Sequence, residues 1–257
     1  LDYNASAPLR EEAREAMVHA MALAGNPSSV HAEGRQARAI VETARQQVAA
    51  ALGAQGADVI FTSGATEAAG LALTGRGIRC ADIEHEAVSS WCQSDLSCGL
   101  DGGVACQAPG ATALQLANSE TGILQQLPDG LALCDMTQAF GKLPVAFHWS
   151  GATMALVSAH KIGGPKGVGA LIVKRGTEVA AQIKGGGQEM GRRSGTENVI
   201  GIAGFGAAAK AAQRDLADGV WEQVEKLRNI LEKAVAQSAS ETIFVGQGGR
   251  RLPNTSY

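Results

Sequence analysis

The stretch Ser158-Ala159-His160-Lys161-Ile162-Gly163-Gly164-Pro165-Lys166-Gly167 follows an apolar run from Met154 to Val157. Four apolar residues bounded by glycine and proline read as a buried strand, and the lysine stands where that strand stops. A lysine there suits Schiff-base chemistry, because its amine is desolvated enough to lose a proton yet open to an aldehyde. Alone the feature is a hint, since most lysines are solvated surface groups. Outward from it, Val168 to Val173, Leu131 to Cys134, Ala113 to Ala117, residues 79–83 and Asp58 to Thr62 also read as strands. Helical patterns cover residues 9–24, 33–53, 66–74, 86–93 and 203–238, while 94–112 read as loop. Thr242 to Val245 and the residues from Leu252 read as further strands. Strands alternating with helices indicate an α/β fold with a mostly parallel sheet. A boundary near residue 210 divides the chain into residues 1–210 and 211–257.

Bulk properties narrow the classes. The 257 residues suffice for one large or two modest domains. Hydrophobic residues make up 45%, aromatics only 4%, and glycines number 33, which favours glycine-rich turns and close helix–sheet packing over an aromatic-rich sandwich. The net charge of −3 has both signs interspersed, so the sequence argues against a nucleic-acid partner. There is no apolar run of membrane-spanning length and no signal-peptide pattern at the start, so no membrane association is expected. The five cysteines (Cys80, Cys92, Cys98, Cys106 and Cys134) form no CxxC pair, and no metal-ligand spacing is visible. Cys80 and Cys134 lie in strand-like runs as small hydrophobes, and a reducing cytoplasm is the expected compartment. Both ends read as cut: the chain opens at Leu1 and stops at Tyr257 just after a new strand begins.

Several strand ends carry chemistry. Ser63-Gly64-Ala65-Thr66-Glu67 turns a strand into a helix, and helix N-terminal N–H groups with the Thr66 hydroxyl form an anion site. An ordinary turn capped by Thr66 explains the same residues. Asp135, with Gln138 three residues on, would point its carboxylate into the cleft of an open sheet or else cap the next segment. His85 offers a flat imidazole, though a lone histidine is more often structural. Asn118 suits a hydrogen bond to a ring hydroxyl or substrate carboxylate, or simply a turn. Ser158 and His160 flank Lys161 and would complete a phosphate cage. If the strands share one edge of a parallel sheet, all of these groups converge. Together they make up what a pyridoxal phosphate (PLP) site needs: a phosphate cradle, an acid for the ring nitrogen, a flat group for the ring face and a lysine.

The sequence resembles the NifS/IscS-type cysteine desulfurases, in the class V aminotransferase group of fold-type I PLP enzymes. The resemblance rests on Leu1-Asp2-Tyr3-Asn4-Ala5-Ser6-Ala7-Pro8, Gly25-Asn26-Pro27-Ser28-Ser29-Val30-His31, Phe61-Thr62-Ser63-Gly64-Ala65-Thr66-Glu67, His85-Glu86-Ala87-Val88, Asn118-Ser119-Glu120-Thr121-Gly122, Asp135-Met136-Thr137-Gln138, the Lys161 stretch and Arg193-Ser194-Gly195-Thr196. These occur in the family's order over nearly the whole chain. The resemblance implies a three-layer large domain with a mostly parallel mixed sheet, plus part of a smaller α+β C-terminal domain. It implies that Lys161 carries PLP as a Schiff base and shuttles protons, that Asp135 holds the pyridine nitrogen and that His85 stacks on the ring. It further implies that Gln138 hydrogen-bonds the ring hydroxyl, that Asn118 faces ring and substrate, and that Ala65, Thr66, Ser158 and His160 bind the phosphate. Thr196 would reach the phosphate of a neighbouring subunit in a homodimer. The implied reaction converts L-cysteine to L-alanine and passes sulfur, as an enzyme persulfide, to an acceptor or scaffold protein for iron–sulfur cluster assembly or thiolation.

Two departures accompany the resemblance. The family's sulfur-accepting cysteine and substrate-carboxylate arginine are expected beyond residue 257. The connections from Thr66 to His85, His85 to Asn118 and Asn118 to Asp135 are shorter than usual. A selenocysteine lyase or aminotransferase on the same fold, or a truncated non-catalytic protein, stands as the alternative.

Overall fold

In the computed structural model the described residues are 2–239 and 241–257, so Leu1 of the N-terminal motif lies outside them. Among the described residues seven strands form one sheet: β1 (Asp58–Thr62), β2 (Arg79–Ala81), β3 (Gln93–Leu96), β4 (Thr112–Gln115), β5 (Leu133–Asp135), β6 (Met154–Ser158) and β7 (Gly169–Val173). Their order is β1-β7-β6-β5-β4-β2-β3. β2 to β6 pair in parallel, and β7 runs antiparallel to both β6 and β1. All strands except β7 therefore point the same way, and the C-terminal ends of β1, β2, β4, β5 and β6 share one edge. The sheet is mixed and mostly parallel, as the sequence implies.

Every residue of β4, β6 and β7 is buried, as expected of strands covered on both faces. On one face lie α1 (Glu11–Met21), α2 (Ala32–Ala51) and α5 (Val199–Ala217), where Ala13, Val41, Val48, Phe205 and Ala208 join the core. On the other lie α3 (Ala65–Leu73) and α4 (Glu86–Ser89), with Ala68, Ala72 and Val88 against Ile60, Leu133 and Leu171. Three layers result. α6 (Val220–Ser238) follows α5, and residues 241–257 return to the body.

Four expectations need correction. α4 stops at Ser89, and the supposed loop after it contains β3, an edge strand whose exposed, polar residues show no apolar alternation. The single helix over 203–238 is two, broken at Gly219, which has φ +70°. Residue 210 lies inside α5. Thr242 to Val245 form no strand, and Arg251 makes only an isolated bridge to Ile123.

Candidate active site

β6 ends at Ser158, and a single 3₁₀ turn, Ala159–Lys161, lifts the lysine onto the shared edge. The turn is stitched to the N-terminal segment: Ala7 N donates to His160 O (2.9 Å) and Arg10 N to Gly163 O (2.8 Å). Gly163 has φ +79°, and a Cβ there would meet Pro8 O at 2.9 Å, so both conformation and space require glycine. Lys161 Nζ donates to Asn4 O and to Ala5 O (3.0 Å for the latter). Burial lowers the Lys161 amine below the usual lysine value, against the pull of Asp2, Asp135 and Glu120.

The residues expected to hold a phosphate are carried by the ends of β1 and β6, which flank β7. Thr62 and Ser158 both pair with Gly169, which places the two strand ends on either side of it. A Cβ on Gly169 would lie 2.6 Å from Gly64 C, so the turn before α3 presses directly on β7. No side chain caps α3. A Cβ on Gly64 would meet nothing within 4 Å, and Thr66 is exposed. The first turn of this nine-residue helix therefore starts without a side-chain cap among the described residues, where Gly64 approaches the β7 glycine that pairs with Ser158. Glu67 Oε2 accepts from Ser63 N (2.8 Å), and its carboxylate pairs with Arg193 at 2.8 Å. His160 Nδ1 lies 3.3 Å from Ser6 Oγ, and burial lowers its pKa.

The residues expected to face a cofactor ring follow β2, β4 and β5. Asp135 Oδ1 accepts from Thr137 N (2.8 Å). Burial raises the Asp135 carboxyl, while Thr137, His85 and Lys161 draw it back down. Its neighbours thus include both the imidazole and the lysine assigned to the same cofactor. His85 is exposed and caps α4 by accepting from Ala87 N (3.0 Å), leaving the ring face free. The loop carrying it is clamped by β4: Gln115 N donates to Glu84 Oε1 (2.7 Å), and Ile83 O accepts from Gln115 Nε2 (2.9 Å) and Asn118 Nδ2 (3.1 Å). Asn118 Oδ1 takes bonds from Glu120 N, Thr121 N and Thr121 Oγ1. That leaves Asn118 one amide hydrogen for any ligand. Glu84 is buried, its Oε2 has no hydrogen-bond partner among the described residues, and burial pushes its carboxyl up to about 9. A cavity of about 1610 Å³ opens beside His85 and Asn118 and extends to Val245 and Tyr257.

Gln138 is held one turn beyond Asp135. Its Nε2 donates to Asn4 O (2.9 Å), and its Oε1 accepts from Lys142 Nζ (2.8 Å). Thr196 is exposed, three residues after the Arg193 that pairs with Glu67. Asn4, Glu84, Gln115 and Lys142 are the site-building residues that the strand-end reading passes over. A lysine four residues after Gln138 in an apolar stretch, and a carboxylate beside His85, were the available signals.

The aminotransferase class-V family model matches residues 1–99 and 109–255, which include every residue assigned above to the site. The chain belongs to the aminotransferase class-V family. A cysteine desulfurase of Frankia sp. (strain EuIK1) is 38% identical over 304 aligned residues, covering 99% of this chain and 72% of that protein. Cysteine desulfurase IscS of Dictyoglomus turgidum is 34% identical over 290, covering 99% and 73%. The X-ray structure of a NifS-like protein from Rickettsia africae superposes with TM-score 0.92 at 31% identity, covering 100% of this chain and 79% of that one. Both alignments are longer than 257 positions, so each includes positions of the relative with no counterpart in this chain. PLP is the cofactor of such enzymes, and the residues here fit it. The uncapped α3 terminus suits a phosphate, the buried Asp135 carboxyl suits a protonated ring nitrogen, and the depressed Lys161 amine suits a carbonyl.

Proposed function

We infer that the protein is a PLP-dependent cysteine desulfurase, taking L-cysteine to L-alanine with transfer of its sulfur to a thiol. The carrying observation is the convergence of Lys161, Asp135 and the open α3 terminus on one sheet edge, in a chain 38% identical to a named cysteine desulfurase. Lys161 is the covalent anchor, and once freed its Nζ takes the proton from the substrate Cα and returns it. Its burial lowers the amine below the usual lysine value and so favours the form that carries a lone pair. Asp135 holds the ring nitrogen in its protonated form, and His85 covers the ring face. PLP, when bound, supplies the electron sink for the pair left by the broken C–H bond. The N–H groups of Ala65 and Thr66, with Ser158 and His160, hold the phosphate and so fix the reacting atoms relative to Lys161.

Several finer assignments belong to the same reading. The protein acts as a homodimer in which Thr196 reaches the partner subunit's phosphate; the exposure of Thr196 supports this. The sulfur feeds an acceptor or scaffold protein for iron–sulfur assembly, a use suggested by the IscS name of one relative. The compartment is the cytoplasm, in keeping with five free cysteines. Residues after the Gly219 turn begin a second, smaller domain, since α6 buries only Glu232 fully.

The test supplies the protein with PLP, L-cysteine and dithiothreitol and measures alanine and sulfide together. Equal yields are expected, and none from Lys161→Ala. A PLP-loaded protein that makes neither product, or a Lys161→Ala variant that still makes both, overturns the assignment.

A further inference from the structure

Lys142 is a buried cation with no part in the chemistry described above. It is 2% exposed, on the segment after β5. Its Nζ donates to Gln138 Oε1 (2.8 Å) and Asn4 Oδ1 (2.9 Å). Gln138 Nε2 in turn donates to Asn4 O (2.9 Å), which also accepts from Lys161 Nζ. Three residues thus close a ring, Lys142 to Gln138 to the Asn4 main-chain carbonyl and back through the Asn4 side chain, and the reactive lysine hangs on the same backbone carbonyl. The ring is anchored from outside. Asn254 Nδ2 donates to Asn4 Oδ1 (2.8 Å), and Asn4 Nδ2 donates to Thr255 Oγ1 (2.9 Å).

A primary amide can present either its oxygen or its nitrogen to a ligand, and only its partners decide which. Here Oε1 is taken by an amine, which supplies the donor, and one Nε2 hydrogen is taken by a carbonyl, which can only accept. Flipping the amide would set Nε2 against Nζ and Oε1 against Asn4 O, losing both bonds. The second Nε2 hydrogen is left as the one unspent donor. We propose that Lys142 is a positioning residue for the desulfurase reaction, locking the Gln138 amide so that it offers the cofactor's ring hydroxyl an N–H and never a carbonyl.

Burial and the charge of Lys161 bring the Lys142 amine down to about 7, opposed by Asp2. The charged amine can only donate, whereas the neutral amine keeps two hydrogens but gains a lone pair that a flipped amide could use, so Lys142 enforces the orientation while charged and the acceptor-only Asn4 carbonyl supports it in both forms. The cost of burying a lysine is offset by two side-chain acceptors. A purely structural role would be met as well by an apolar residue of similar length, which often stabilises in place of a buried polar cluster.

The proposal rests on the PLP reading, and the wild type controls for it. Apo-protein is titrated with pyridoxal 5′-phosphate, and the visible absorption of the bound cofactor and the melting temperature of the apo form are recorded. Wild-type protein that takes up no PLP removes the functional reading itself. With uptake established, Lys142→Met should weaken PLP binding about tenfold, the worth of one lost hydrogen bond in a buried site, and should shift the absorption maximum. Lys142→Gln keeps a neutral N–H donor and should recover part of both, and it serves if the Met variant does not fold. In a Gln138→Leu background, Lys142→Met should change neither readout further, because the lysine acts through the amide. Unchanged PLP affinity and spectrum in Lys142→Met, or losses that multiply in the double variant, overturn the proposal in favour of a structural lysine.

Discussion

Glu84 sits where β2 leaves the sheet, and its carboxyl takes over as acceptor for Gln115 N at the end of β4. Burial holds this acid protonated up to about pH 9, whereas the unfolded chain ionises it near 4.5. Between those values the folded state binds one proton more than the unfolded state, so this group lowers stability as pH rises, by up to about 1.4 kcal/mol per pH unit. Glu84→Gln keeps the acceptor and removes the titration. In urea unfolding at pH 5, 7 and 8.5, the variant should therefore gain on the wild type at each step. Taking the difference between the two proteins cancels Lys142, whose lowered pKa acts in the opposite sense above pH 7. A gap that does not change with pH would show that Glu84 ionises freely in the fold. Glu84, Gln115 and Lys142 share a reason for being hard to read in the sequence. Glu84 and Gln115 meet across 31 positions and Lys142 reaches Asn4 across 138, although its bond to Gln138 spans only four, whereas His85, Asp135 and Lys161 announce themselves by ending apolar runs.

Among elements, α5 owes its place to small residues. Gly201, Gly204 and Gly206 lie buried along it, and a Cβ on Gly206 would stand 2.6 Å from Ala44 Cα on α2, while one on Gly204 would stand 2.7 Å from Met17 Cγ on α1. Gly206→Ala would raise helix propensity by about 1 kcal/mol, yet its methyl meets backbone that cannot yield without parting the helices. Overpacking of this kind costs about 1–3 kcal/mol. The variant should be no more stable than wild type and is expected to be less so in urea; a gain near the full propensity term would mean that α2 and α5 are not in such close approach. The small-residue run was legible as helix, but its end was not. Lys and Glu periodicity continues through Asp218-Gly219, and only the left-handed Gly219 breaks it. β3 went unread for the opposite reason: Gln93, Ser94 and Asp95 are exposed on a sheet edge, with Asp95 paired to Arg79 at 2.8 Å, so no apolar period marks them. The buried strands around the lysine, covered on both faces, gave apolar runs that matched their positions to within a residue or two.

At the scale of the molecule, the last segment closes the structure over the site. Residues 241–257 carry no strand, yet Leu252 is fully buried, Leu252 N donates to Gly122 O (2.8 Å), and Thr255 and Asn254 reach Asn4. Two contacts tie this segment to α6: Arg228 Nη1 donates to Leu252 O (2.6 Å), and Arg251 pairs with Glu232, bidentate at 2.9 and 3.0 Å and about 5% exposed on each side chain. Arg251 holds the Glu232 carboxyl below its usual value, so the pair contributes above the unfolded carboxylate range and is lost as acid protonates it. Arg251→Met would strand the carboxylate. The loss should be about 3 kcal/mol, the low end for a broken buried pair, since an open cavity borders this one and admits water. Because Asn254 and Thr255 of the same segment hold Asn4, the damage should not stay local. Limited proteolysis should cut first within 241–257, and PLP affinity should fall along with it, although Arg251 lies outside the cofactor's residues. Replacing both partners, Glu232→Leu with Arg251→Met, removes the stranded charge and should restore protease resistance and PLP affinity together. Protease sensitivity without any change in PLP binding would instead separate this closing segment from the Asn4 carbonyl on which Lys161 and Gln138 depend.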